Sequence, residues 1–373
     1  MRGLPSPTGR GWSRDAGLGE GKRRWQLGLG GAAVVVLGVL AFLFRPSLPP
    51  PRVTGSTQVT KDGRDKELMV TDGSRVFFSS ISGFNYALYE ASTAGGDTVL
   101  FQTSIPNPIV HDISPDRSEL LAGRCTGFTE DDCPLWVLPV LGRSPRRLGT
   151  LRASFTAGAA AWSPDAKEIV YAQGNSLYRS SIDGTESRKI ASVASGGYAF
   201  WPRWSPDGSR VRFSVTPEPL PSMNTQNNRT SLWEVSADGK NLHPLLSGWN
   251  NPSAECCGSW TPDGKYFLFQ SQRGGTSNIW AIREERNFFR KVNHEPVQLT
   301  TGPTSTYAPL PSTDGKKVFV VSAQVRGELV RYDSASHRRG RSSLPWLKSP
   351  RWSPDGRHIL SLCSKSRHRS GGS

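Results

Sequence analysis

Trp204-Ser205-Pro206-Asp207-Gly208-Ser209-Arg210-Val211-Arg212-Phe213 is a tight turn that runs straight into a strand. Proline presets φ for the first corner, the aspartate side chain bonds nearby backbone N–H groups, and glycine takes the left-handed conformation from which a strand can begin. Val211 and Phe213 are the β-branched and aromatic residues that strands favour. The same signal returns at Thr71-Asp72-Gly73, Ser114-Pro115-Asp116, Trp162-Ser163-Pro164-Asp165, Trp260-Thr261-Pro262-Asp263-Gly264, Thr313-Asp314-Gly315 and Trp352-Ser353-Pro354-Asp355-Gly356. Successive aspartates are 44, 49, 42, 56, 51 and 41 residues apart, the period of a propeller blade lengthened by loop insertions.

Each copy carries more of a blade. Ile169-Val170-Tyr171, Tyr266-Phe267-Leu268-Phe269 and Val318-Phe319-Val320-Val321 have strand length and composition. A later strand holds an aliphatic–aromatic pair, as in Leu88-Tyr89, Leu135-Trp136, Leu177-Tyr178, Leu232-Trp233 and Ile279-Trp280. Asp183-Gly184 and Asp238-Gly239 are hairpin turns. A four-stranded sheet cannot bury both faces alone, so the repeated tryptophans read as packing between blades. The repeated aspartate reads as a turn residue, because catalysis needs one site and not seven.

These features predict an all-β fold, a six- to seven-bladed β-propeller over residues 56–362. The last blade is expected to be incomplete, since Trp352 is followed by little more than one strand and residues 363–373 read as a disordered basic tail. Ser56 to Thr60, similar to Pro296 to Thr300, offers a strand for closing the ring. A truncated or frame-disrupted product without independent function is an alternative at this point.

From Leu27 to Phe44 the chain has no charged or strongly polar residue, and as a helix this run is about 27 Å long, enough to span a bilayer core. Residues 25–44 are therefore expected to be a single transmembrane helix, with Trp25 at the interface. Lys22, Arg23 and Arg24 precede it, which places residues 1–24 in the cytoplasm as a basic disordered segment. A Pro-rich linker, 45–55, follows on the other side. A cleaved signal peptide would need a shorter apolar region and a small-x-small site, which Ala41-Phe42-Leu43-Phe44-Arg45 does not supply.

The formal charge of +15 raises the question of nucleic acid, and its distribution answers it. Residues 1–24 and 337–373 with Arg45 and Arg52 hold 17 of the 46 basic and 3 of the 31 acidic side chains, which leaves 29 against 28 in residues 53–336. A nearly neutral body presents no overall field to phosphate, so no nucleic-acid partner is expected.

The W-S-P-D-G strands with their later D-G turns resemble the WD-repeat-like propeller of the TolB family over residues 56–362. The resemblance implies a periplasmic, non-catalytic protein-interaction module, here in the bacterial inner-membrane envelope. The order of basic flank, apolar helix, Pro-rich spacer and propeller also resembles the C-terminal half of membrane-tethered bacterial regulators with a winged-helix DNA-binding domain. Residues 1–24 are too short to be that domain.

Enzyme signatures are missing from the sequence. There is no G-x-S-x-G, and the six histidines form no H-E-x-x-H or other ligand spacing. Gly17-Leu18-Gly19-Glu20-Gly21-Lys22 fails as a phosphate loop, with Ala16 and Arg23 at the two positions that need Gly and Ser or Thr. No enzyme, cofactor or metal is expected; a hydrolase or lyase working at the propeller mouth is the competing reading. Cys125 and Cys133 flank a short acidic loop and either pair as a disulfide or stay free; the adjacent Cys256 and Cys257 read as loop packing. Binding is expected at loops entering each blade's first strand, which hold His111, Tyr198, Trp201, Arg203, Trp249, Glu255 and Tyr307, side chains suited to a protein or peptide. The insertion from Thr216 to Arg229 is a second candidate.

Overall fold

The computed structural model describes Gly38 and residues 51–373 apart from 83–84, 126–130, 142–143, 157, 195, 218–228, 285–294, 334–347, 353–357 and 373; from residue 324 onward it describes the backbone alone. After β1 (Thr57–Thr60), blade 1 comprises β2 (Met69–Thr71), β3 (Arg75–Ser82), β4 (Asn85–Ser92) and β5 (Val99–Leu100). Blade 2 comprises β6 (Pro108–Ile113), β7 (Glu119–Arg124), β8 (Asp132–Pro139) and β9 (Arg146–Ser154). Blade 3 follows with β10 (Ala160–Trp162), β11 (Glu168–Gln173), β12 (Ser176–Ser181) and β13 (Ser187–Ser192). Blade 4 has β14 (Tyr198–Trp204), β15 (Arg210–Thr216), β16 (Ser231–Ser236) and β17 (His243–Pro244), and blade 5 has β18 (Glu255–Trp260), β19 (Tyr266–Ser271), β20 (Asn278–Arg283) and β21 (Val297–Gln298). Each blade is a four-stranded sheet in chain order. The first strands of successive sheets touch one another, and that of blade 1 returns to β22 (Ser305–Pro311), so the sheets close into a ring.

Among the described residues five blades are complete, where the aspartate spacing predicts six or seven. The remaining strands, β22, β23 (Val318–Asp333), β24 (Lys348–Trp352) and β25 (His358–Gly372), form one irregular closing sheet in the order β1-β25-β23-β22, with β24 also on β25. The unit at Trp352 therefore opens no blade of its own. Residues 363–372 are not a tail but continue β25, paired with β23 and, at Gly372, with Thr57 of β1. Two open strand edges supply backbone partners there, and ladder bonds do not depend on apolar side chains. Among the described residues no helix is long and apolar enough to cross a membrane; the expected span, 25–44, lies outside them except for Gly38.

Alternation along a strand explains why the second strands are apolar without a break. In β11, Ile169 and Tyr171 pack in one cluster with Leu121, Leu135 and Trp162 of the blade 2 interface, while Val170 and Ala172 pack in another with Ala199, Trp204 and Val211 of blade 4. Successive side chains point to opposite faces, and here each face meets a neighbouring blade. Burial of each large side chain contributes roughly 1.5–3 kcal/mol.

The turns are built as their residue types require. Ser205 Oγ donates to Asp207 and accepts from the Arg210 N–H at 3.2 Å, and the Ser209 N–H donates to Asp207 at 3.1 Å. Ser114, Ser163, Thr261 and Ser312 repeat this with Asp116, Asp165, Asp263 and Asp314. Gly208, Gly264 and Gly315 all sit at φ 68°; Arg117 at 65° and Ala166 at 59° hold the same place without glycine.

Tryptophans of this motif dock under arginines of the preceding blade. Arg179 lies 5.7 Å from the Trp204 ring, and Arg210 and Arg212 lie 4.9 and 4.4 Å from that of Trp260. Glu284 of blade 5 holds both latter guanidiniums, at 3.0 Å for Arg210, and Glu234 holds Arg212 at 2.7 Å. The ring faces are thus covered from within, as packing between blades requires and a ligand cage does not allow.

Candidate functional site

Six residues share one register in the first strands, opposite Phe77, Leu121, Val170, Arg212, Leu268 and Phe319 in turn: Val70, Asp112, Ala161, Arg203, Ser259 and Leu310. All six line a cavity of about 280 Å³ at the ring's axis. Pro115, Pro164, Pro262, Pro309 and Pro311 and the tryptophans 162, 201, 204 and 260 complete most of its wall. Two of the six positions are charged, one acid and one base, although every other copy is apolar or a small hydroxyl.

Arg203 is held by backbone. Its Nη1 donates to the carbonyls of Pro202 at 2.8 Å and Gly158 at 3.4 Å, and its Nη2 donates to that of His111 at 3.2 Å. Burial pulls its pKa below the ordinary arginine value, opposed by the charge of Asp112. Asp112 accepts the Trp162 N–H at 2.8 Å. Burial raises its pKa, and the positive charge of Arg203 only partly offsets that. Both side chains are partly exposed on the cavity wall and present one negative and one positive charge to whatever enters it.

Trp201 closes the axis beside them. The indole is 2% exposed, and its Nε1–H donates to the Gly258 carbonyl of blade 5 at 2.9 Å. On the other side it packs on Gly158, where a Cβ would lie 2.7 Å from the ring. It shares one apolar cluster with Val110, Cys257, Tyr307 and Ala308.

The residues singled out from sequence divide accordingly. Trp201 and Arg203 meet at the cavity, and His111 joins them through its carbonyl. The His111 ring is buried with neither nitrogen bonded, and it lies where a Cβ on Gly123 would approach Nε2 to 2.8 Å. Burial, with Arg203 adding to it, lowers its pKa to about 3. Tyr307 packs in the Trp201 cluster. Glu255 is buried at the start of β18 with Oε1 unbonded, and burial raises its pKa. Trp249 belongs to an outer cluster, its ring 4.9 Å from that of Trp280 and 4.5 Å from Arg273. Tyr198 is 39% exposed. The cavity lies at the far ends of the first strands, beside the Ser-Pro-Asp turns, and not at the loops that lead into them. Residues 218–228 of the proposed insertion lie outside the described residues.

Sequence reading passes over Asp112 and Arg117, both lining residues. Asp112 could be found by aligning the copies and asking which departs from the repeat. Cys125 and Cys133 are bridged, and so are Cys256 and Cys257, which corrects the expectation of simple loop packing for the latter pair. Among the described residues no group of three or more His, Cys, Asp or Glu could hold a metal ion.

Comparison with known proteins agrees with this architecture. The TolB beta propeller domain model matches residues 156–370. The chain belongs to that family. The uncharacterized protein Atu1656 of Agrobacterium fabrum is 23% identical to it over 257 residues, 52% of this chain and 80% of the relative. Among solved structures, one assigned as TolB from Agrobacterium tumefaciens is 18% identical, covering 73% of this chain and 86% of that one at a TM-score of 0.47. An oligogalacturonate lyase in complex with manganese is 15% identical, covering 82% and 92% at 0.46.

Proposed function

We propose that this TolB-family propeller is a non-catalytic interaction or ligand-sensing module of the bacterial envelope, binding a protein or peptide at its axial cavity. The observation that carries the reading is the composition of that cavity: proline and tryptophan walls with one acid and one base, Asp112 and Arg203, at the level where the other blades are uncharged. Apolar walls with few placed polar groups suit recognition. The apolar run 27–44 and the basic residues before it support an inner-membrane anchor with a cytoplasmic N-terminus and a periplasmic propeller. In this arrangement the propeller is the sensory part of a transmembrane regulator. The full chain, captured from solubilised membranes, is expected to bring down one reproducible partner, and Arg203→Gln to lose it while folding normally. Recovery of no reproducible partner, or equal capture by the variant, contradicts the proposal.

A further inference from the structure

Three first strands make the same bulge, where the register shifts between Phe200 and Arg203 in β14, Cys256 and Ser259 in β18, and Tyr307 and Leu310 in β22. Each bulge opens on a left-handed residue: Trp201 at φ 54°, Cys257 at 62° and Ala308 at 50°. The next residue is Pro202, Gly258 and Pro309 respectively. Proline fixes its own φ, so in β14 and β22 the residue that follows the left-handed position is restrained by covalent geometry.

Blade 5 has no room for that solution. The second strand carries Val211 in blade 4 and Val318 in the closing sheet at the end of this ladder, but Phe267 in blade 5. A Cβ at position 258 would lie 2.2 Å from the Phe267 ring, so glycine is required, and glycine is the least restrained residue. The restraint comes instead from the bridge between Cys256 and Cys257, immediately before it. What it restrains reaches the axis, because the Gly258 carbonyl accepts the Trp201 indole N–H and the Cys257 N–H donates to Ser214 Oγ at 3.0 Å.

We infer that the Cys256–Cys257 bridge is a removable lock on the blade 5 bulge: bridged, it holds the Gly258 carbonyl against Trp201, and on reduction it releases that contact and loosens the cavity floor. The reductant is an external dithiol. One of its thiolates attacks Sγ of Cys256, the less buried of the pair, and Cys257 leaves as a thiolate that takes a proton. The second thiol of the reductant then closes its own disulfide and releases Cys256 as a thiol. One S–S bond breaks in the protein and one forms in the reductant, with two electrons and two protons transferred. The inference stands on the geometry of the floor and is independent of what the cavity binds.

The test uses the full chain in detergent, isolated without reductant, with hydrogen exchange followed before and after dithiothreitol. Peptide mapping under non-reducing conditions is expected to find the peptide spanning 255–260 lighter by two hydrogens than its dithiol form. Reduction is expected to speed exchange in segments 198–204 and 255–260 by about tenfold or more while segment 168–181 is unchanged. Dithiothreitol also opens Cys125–Cys133, so the variant Cys256→Ser/Cys257→Ser serves as the subtractive control: it exchanges fast at both segments from the start and does not respond there. Free thiols at 256 and 257 in chain isolated under oxidising conditions, or exchange at 198–204 indifferent to reduction, overturns the inference.

Discussion

Asp116 and Asp112 stand four residues apart in blade 2 and meet opposite treatment. Asp116 takes hydrogen bonds from Ser114 and Ser118, which hold its carboxyl below the ordinary range. Asp112 lines the axial cavity, and burial holds it above that range. The contrast extends over the molecule. Turn aspartates are repeated and fully bonded by their own neighbours, and those at 207 and 183 are lowered to about 2. Asp112, Arg203 and His111 occur once each: the His111 ring is buried with neither nitrogen bonded, and Asp112 and Arg203 are partly exposed on the cavity wall. A repeat residue is placed to start a strand, and the fold satisfies it; a residue that departs from the repeat has no such reason to be there, and the fold leaves it available.

Four substitutions probe the two sides of this contrast. The largest effect is expected from Trp201→Ala on the axis, which removes the indole packed between Gly158 and Gly258. It should lower stability by about 3–5 kcal/mol, read as a drop in the denaturation midpoint in urea. Next comes His111, whose folded-state pKa of about 3 lies below its unfolded value. The unfolded chain therefore binds the proton first, and stability falls by up to about 1.4 kcal/mol per pH unit as pH drops from roughly 6.5 towards 3. His111→Leu should remove that share of the slope in denaturation curves collected across this window. An unchanged slope would show that the ring is not held neutral.

On the turn side the effects are smaller and local. Asp207→Asn should cost about 1 kcal/mol at pH 7 by weakening the bonds from Ser205 and Ser209. The native carboxylate has its pKa depressed, so its contribution is present above about pH 4 and is lost as pH falls towards 2; native and variant should converge there. Smallest is Ala166→Gly, which places glycine at a left-handed φ of 59° and should raise the thermal midpoint slightly, a gain of roughly 0.5 kcal/mol after the added freedom of the unfolded chain is set against the relieved strain.

The repeat is legible in the sequence because its turns and strands are encoded locally. Ser205-Pro206-Asp207-Gly208 names its own hydrogen bonds, and Ile169 to Tyr171 names its strand. Closure is legible only in part: Ser56 to Thr60 reads as a closing strand and is β1 in the last sheet, but its partner β25, with β23 beside it, is chosen through backbone pairing that no local pattern records. The same limit explains the candidate site. Trp201 and Arg203 attract notice as residue types, but the axis is a meeting of six separated strands, and Asp112 gains its meaning only from Ala161 and Ser259 at the same level. Trp249 has equal appeal in sequence and belongs to the outer packing with Trp280.

The claim that the axis is the working surface is tested most directly by site-specific photo-cross-linking of the full chain in the cells that produce it. A photoreactive phenylalanine is placed at Thr313 or Pro164 on the cavity wall, and at Leu141, 79% exposed on the outer side of blade 2. Cross-links to one partner at both wall positions and none at Leu141 are the result expected. A partner captured at Leu141 and at neither wall position would contradict it.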